Sequence, residues 1–308
     1  MSNSFKQFGI KLAYDQLEKR GDKLEPFEKI IDWSRFRTLF FRRGGPGRPT
    51  YNPVMMFKVL VLQNLYGIAD EEVEYQIIDR ISFQKFLGFP EQIPDHTTIW
   101  RFREYLSDSN LHDVLWKELD RQIKEKNIQY SKGVIQDATF ITANPGKTNS
   151  SDKIDRGRGQ ASTRNEDGTW AKKNGKNYFG YKLHTKVEMK NNLITELAVT
   201  TASVHDSKID LTEYDEIIYR DKGYFGAKPK GKGDATMDRA VRGRPLTIWQ
   251  KLRNKRITRK RSPGERPFAV IKNVMNGGHT LYTELHRVFT QQLLNCFVYN
   301  LIQLKRLT

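Results

Sequence analysis

A chain of 308 residues with 37% hydrophobic content can bury a sizeable core as one large domain or two modest ones, which excludes disorder throughout. No apolar run approaches the roughly 20 residues that cross a bilayer, the start "MSNSFKQFGIKLAYDQ" lacks a secretory leader's apolar stretch, and the lone Cys296 forbids an internal disulfide; no membrane is implied and a cytosolic protein is expected. The net charge of +17 is concentrated, with 16 basic and 3 acidic side chains in residues 222–272 against 13 of each in residues 133–221, a footprint suited to a polyanion such as nucleic acid.

The first 130 residues read as helices. "NPVMMFKVLVLQNLYGI" is apolar on nearly every face, the pattern of a helix buried all round, and "EEVEYQIIDRISFQKFLGF" continues at helical spacing. The glycine and proline cluster "RRGGPGRPT" at 42–50 separates an amino-terminal arm from this bundle. Asp95 is expected to cap "HTTIWRFREYL", whose Ile99, Phe102 and Leu106 form one stripe. Short helices broken by a turn suit a helix-turn-helix reader of DNA, although helical bundles arise for many other reasons.

After the helix of "LHDVLWKELDRQIKEKN" the period changes at Gly133, and "VIQDATFI" is β-branched and alternating, as a strand is. Residues 144–177, rich in Gly, Ser, Asn, Lys and Arg, read as a long mobile loop. "YFGYKLHTKVEMKNNLITELAVTTASV" predicts two strands joined at Lys190–Asn192, "HDSKIDLTEY" a short helix, and "EIIYRDKGYFG" a strand ending at Asp221. A short strand near "ATMDRAV", a helix near "TIWQKLRNK" and helices at 265–276 and 284–306 follow. The organisation is an all-helical domain over 1–130 ahead of a mixed α/β domain over 131–308.

Three acids stand apart from ordinary surface charge. Asp137 lies mid-strand in "VIQDATF", where a carboxylate costs several kcal/mol unless it is paired or bound to a metal. Asp221 ends a strand, the place where α/β folds collect active-site groups. Glu265 is the one acidic residue between Asp238 and Glu284, inside the most basic segment. Each has a plainer reading: Asp137 as the closing residue of a strand before "NPG", Asp221 as a turn former in "DKG", and Glu265 as the third helical residue of a capping box opened by Ser262 and Pro263. Pro267 fits that register poorly, and the helix then starts at about Glu265. Taken together the acids make one chemical unit. Two aspartates from neighbouring strands and a glutamate from a helix suit hard divalent cations, Mg²⁺ or Mn²⁺, working as a pair on a phosphodiester while nearby cations grip the DNA.

Other chemistries fit less well. The six histidines show no H-E-x-x-H spacing, and "NPGKT" lacks the earlier glycine of a phosphate-binding loop, so no nucleotide is required. His205 and Asp206 form a conceivable base pair of residues, but Asp206 or Ser207 reads better as a helix cap.

"QDATFI", "YRDKGYFG" and "RSPGERPFAVIK", with Arg261, Glu265 and Lys272 at R-x3-E-x6-K intervals, closely resemble the DDE transposases of bacterial insertion sequences, specifically the insertion-sequence-five family. "GRPTYNPVMMFKVLVLQNLYGIADEEVE" and "FLGFPEQIPDHTTIWRFR" are similar to that family's helical amino-terminal domain, so the resemblance spans nearly the whole chain. It implies a ribonuclease H-like catalytic core of α/β (α+β) class with Asp137, Asp221 and Glu265 as the catalytic, metal-binding triad, and Arg261 and Lys272 as DNA contacts. It also implies cutting at the element's terminal inverted repeats, joining of the freed 3′-hydroxyls to target DNA, and at least a homodimer on double-stranded DNA. Thr258 stands where the family signature often begins with tyrosine.

Overall fold

The computed structural model describes residues 3–40, 51–109, 111–146, 167–173 and 175–307. The expected separator at 42–50 and residues 147–166 of the expected loop lie outside them. Two compact units result, one of Met1–Ile128 with Asn300–Thr308 and one of Gln129–Tyr299.

The first unit is helical. Its helices are α1 (Asn3–Arg20), α2 (Glu25–Lys29), α3 (Pro53–Tyr66), α4 (Asp70–Asp79), α5 (Ile81–Phe86), α6 (His96–Asp108) and α7 (His112–Glu125). Asn52 caps α3, Pro53 opens it without wasting a donor, and Gly67 ends it in the left-handed conformation at φ 62°. With Phe57 and Val59 to Leu62 buried, α3 is the core helix that its all-round apolarity predicts. Trp33, Phe36 and Phe86 gather around it as an aromatic cluster. The predicted helical stretch after α3 is two helices, because Arg80 is extended at φ −100° and ψ 115°. Asp95 caps α6, accepting from the Thr98 amide at 2.6 Å.

The second unit is a mixed sheet with helices on one face. Strands β1 (Gly133–Ala143), β2 (Thr169–Lys173), β3 (Lys176–Glu188), β4 (Ile194–Thr201), β5 (Ile217–Arg220), β6 (Gly233–Thr236) and β7 (His279–Thr280) run in the order β2-β3-β1-β5-β6, with β4 on β3 and β7 on β1. Its helices are α8 (Ile248–Arg261), α9 (Arg266–Asn273) and α10 (Leu285–Leu307), the last of which ends within the first unit. The loop expectation is corrected at its end: Thr169–Lys173 and Lys176–Asn177 form a hairpin, paired from Thr169 opposite Gly180 to Lys173 opposite Lys176. A polar composition hid a strand whose cross-strand contact is Trp170 against Phe179 at 5.2 Å.

Alternation along β1 assigns its side chains to two faces. Ile135, Asp137 and Ile141 face the helices: Gly264 lies against Ile135, and Tyr181, opposite Ile141, donates to the Thr283 carbonyl at 2.9 Å. Gln136, Ala138 and Phe140 face the segment 204–216, where the Gln136 amide donates to the Ile209 carbonyl at 2.7 Å. Cys296 is buried. Among the described residues no helix is long and apolar enough to cross a membrane.

Candidate active site

The sheet brings two of the three acids near each other through its parallel pairing. β1 and β5 run parallel, with Gly133 opposite Ile217, Val134 opposite Ile218 and Ile135 opposite Tyr219. Beyond that ladder the chains lead to Asp137, midway along β1, and to Asp221, the residue after β5, and the two carboxylates lie within electrostatic reach of each other. Asp221 also forms the turn that follows: its Oδ1 accepts from the Gly223 amide at 2.7 Å and caps the 3-10 turn Lys222–Tyr224. The turn-former reading of Asp221 therefore holds.

Asp137 is a charge that its surroundings resist. Oδ1 accepts from the Ala138 amide at 2.8 Å and Oδ2 from Arg261 Nη2 at 2.7 Å. Burial pushes the carboxyl up to about 6; Arg261 and the Ala138 amide pull it down, Asp221 adds to the rise, and Lys173 opposes it. Burial and the second carboxylate thus outweigh an arginine in direct contact. The side chain keeps 21% of its surface exposed, which leaves the carboxyl open to a ligand.

Arg261 reaches Asp137 because α8 runs directly into the site. Ser262 does not cap a new helix, since its amide already donates to the Thr258 carbonyl of α8, so the rival capping box at Ser262, Pro263 and Glu265 is absent and the helix starts next to Glu265, as Pro267 implies. The chain continues as a 3-10 turn, Ser262–Glu265, and then as α9. The capping box of this segment stands earlier, at Thr247 and Gln250. Gly264 seats the turn on β1: a β-carbon there would lie 2.5 Å from Ile135 Cγ2, so only glycine permits the approach. Glu265, the next residue, is exposed and makes no hydrogen bond or ion pair through its side chain among the described residues.

Among the described residues no three His, Cys, Asp or Glu side chains stand grouped as a metal cage. The structure brings Asp137 and Asp221 into mutual electrostatic reach and does not join Glu265 to them as a third carboxylate. The donor chemistry nevertheless fits a hard divalent cation. Both acids offer oxygen, and the penalty on the Asp137 charge is one that a cation beside it would remove. Lys272, half-buried on α9, has its ammonium pushed below the ordinary lysine range by burial, with Lys173 adding to the effect.

Several neighbours escaped the sequence reading. Lys173 lies in the stretch read as loop, yet β2 brings its ammonium 6.0 Å from the Phe140 ring and into the field of Asp137. Phe140 stacks on Tyr178 with centroids 4.5 Å apart and planes 4° from parallel. Tyr224 is fully buried, and its hydroxyl is held well above the ordinary range by burial and then by Asp206, Asp137 and Asp221. Asp206 is neither base nor cap: it pairs with Lys182 at 2.7 Å, while His205 caps the 3-10 turn Asp206–Lys208 by accepting from the Ser207 amide. Alternation in "DATF" and "YKLH" was the available signal, but it does not show which charges meet.

Known proteins share these segments. Residues 131–301 match the family model described as "Transposase DDE domain", and residues 12–105 match "Transposase domain (DUF772)". Among solved structures, the "Cryo-EM structure of piggyBac transposase synaptic complex with hairpin DNA" is similar at 10% identity and a TM-score of 0.42, over 91% of this chain and 72% of that one. That score is below the likeness of a shared fold.

Proposed function

On the premise that this chain belongs to the DDE transposase family, with the insertion-sequence-five layout, we propose that it binds the terminal inverted repeats of an insertion sequence, cleaves the DNA ends and joins the 3′-hydroxyls to target DNA. The observation that carries this reading is the electrostatic proximity of Asp137 on β1 and Asp221 just beyond the adjacent parallel β5, with the basic helix α8 ending on Asp137 through Arg261. The sheet is read as a ribonuclease H-like core, Asp137, Asp221 and Glu265 as its catalytic acids, and the protein as acting in the bacterial cytosol or nucleoid. A pair of bound divalent cations, Mg²⁺ or Mn²⁺, would neutralise the scissile phosphate and activate water or a 3′-hydroxyl.

The chain's own residues account for the rest. Asp137 presents oxygens from within β1 and Asp221 from just beyond β5, and Glu265, on the turn that Gly264 seats on β1, would turn inward to present a third. Arg261 compensates Asp137 in the DNA-free state and, with Lys272, offers charge-assisted contacts to phosphates beside the cut. The helical unit is assigned to end binding or dimerisation, and coupled joining of two ends asks for at least a homodimer on DNA.

Asp137→Asn tests the assignment. The variant is expected to bind the element's ends with unchanged affinity and to show no strand cleavage on a denaturing gel with Mg²⁺. Retained nicking by the variant would refute the catalytic role. Wild-type binding without cutting would identify a non-catalytic DNA-binding regulator, and cutting of any duplex irrespective of inverted repeats a sequence-nonspecific nuclease.

A further inference from the structure

Helix α8 has 14 residues, seven of them basic and none acidic. Its middle anchors it. Asn254 and Ile257 are its buried residues, and Asn254 exchanges two hydrogen bonds with the Asp238 backbone at 2.8 and 2.9 Å. The first turn reaches beyond that anchor, fixed in direction by the capping box of Thr247 and Gln250. There Ile248 is 74% exposed, Trp249 80% and Leu252 44%. Trp249 makes no ring contact among the described residues, and the exposed Lys251, Lys255, Arg256 and Arg259 make no ion pair among them.

An exposed apolar tip fits either a protein surface or the bases of a nucleic acid, and the charge decides between them. A helix with seven cations and no anion, on a chain of net charge +17, repels a second copy of itself and attracts a polyanion. Basic side chains hold the phosphates, and an apolar group set among them acts on bases. We propose that the first turn of α8, with Trp249 at its point and Ile248 and Leu252 beside it, is a wedge that enters DNA gripped by the helix's cations and stacks on a base freed from the duplex. Trp249 precedes Arg261 by 12 residues, about 18 Å along the helix. At about 3.4 Å per nucleotide of one strand that is roughly five positions, so the wedge acts beside the scissile phosphate and not at it. The inference rests on the proposed DNA-transposing function for the presence of DNA along α8.

Two duplexes of about 30 base pairs and one mixed sequence, one fully paired and one with a single unpaired adenine, are titrated against the full-length protein by fluorescence anisotropy at fixed salt. The wild type is expected to bind the bulged duplex about 10-fold more tightly, a ratio worth about 1.4 kcal/mol and within the range of one base–aromatic stack. Trp249→Ala removes that preference while affinity for the paired duplex stays within about twofold, and thermal unfolding is unchanged because the side chain is exposed. Trp249→Phe keeps part of the preference, and the double variant Lys255→Ala/Arg256→Ala weakens both duplexes alike. Equal binding of both duplexes by the wild type, or an intact preference in Trp249→Ala, overturns the wedge and leaves the DNA reading standing. Failure to bind either duplex overturns both. Self-association without DNA that Trp249→Ala abolishes would assign the tip to a second copy instead.

Discussion

The two faces of β1 both carry buried charge, and they neutralise it differently. Toward the segment 204–216, the fully buried Lys186 of β3 meets Glu213 at 3.3 Å and Glu216 at 3.1 Å, and Lys182 meets Asp206 and the Val204 carbonyl, each at 2.7 Å. Toward the helices, Asp137 meets Arg261 at 2.7 Å, yet burial and Asp221 still hold its pKa above the ordinary carboxylate range. One face is closed by matched partners. The other keeps an acid in mid-strand whose pKa stays raised despite its arginine partner, a condition that suits a site awaiting a cation.

The comparison sharpens first on the closed face. Glu216→Ala leaves Lys186 buried with only the exposed Glu213 near it, and should cost about 3 kcal/mol in urea unfolding. Lys186→Met, which removes the charge instead of its partner, should cost far less. Equal losses from both would mean that packing and not charge matching holds this face.

A second test uses acid, because the faces titrate in opposite senses. Burial raises the Asp137 pKa to about 6 from the ordinary 3.8, so the folded chain keeps a proton that the unfolded chain has lost, and its contribution to stability falls as pH rises from about 4 to 6. His184, opposite Ala138 on the other face, is lowered from 6.5 to about 4, chiefly by burial. Its contribution is present above the unfolded pKa and falls as pH drops from about 6.5 to 4. Each shift amounts to something on the order of 3 kcal/mol, and in the wild type the two largely cancel. Asp137→Asn should expose a stability that rises with pH across this window, and His184→Gln one that falls. Parallel profiles for the two variants would break the comparison.

The smallest stability effect belongs to the seat of the turn. Gly264→Ala forces a β-carbon against Ile135 and should cost about 1–3 kcal/mol. Displacing Glu265 by about 1 Å should lower strand cleavage by about 100-fold, with DNA binding retained. Cleavage that survives while stability falls would detach Glu265 from the reaction.

Much of the site was legible because it is local. Arg261, Glu265 and Lys272 stand within one short run, and Asp137 and Asp221 announce themselves as charges in apolar or strand-ending company. The parallel pairing of β1 with β5 that brings Asp137 near Asp221 was not legible, since pairing is chosen by whole-sheet packing and loop geometry. Nor was the ion pair of Arg261 with Asp137, which spans 124 residues of sequence. The rival capping box at Ser262 fails for a similar reason. Ser-Pro-x-Glu suits a helix start, but here the preceding helix had already supplied a carbonyl for the serine amide. The hairpin of β2 and β3 was lost under a polar composition, and Lys173 with it.

The most direct measurement of the central claim is anomalous diffraction from crystals of the protein grown with Mn²⁺ and a DNA end. The account predicts manganese peaks held between Asp137 and Asp221, Glu265 turned toward them, and Arg261 released from Asp137 onto phosphate. Asp137 still clasped by Arg261 beside bound DNA, with no metal between the two aspartates, would contradict it.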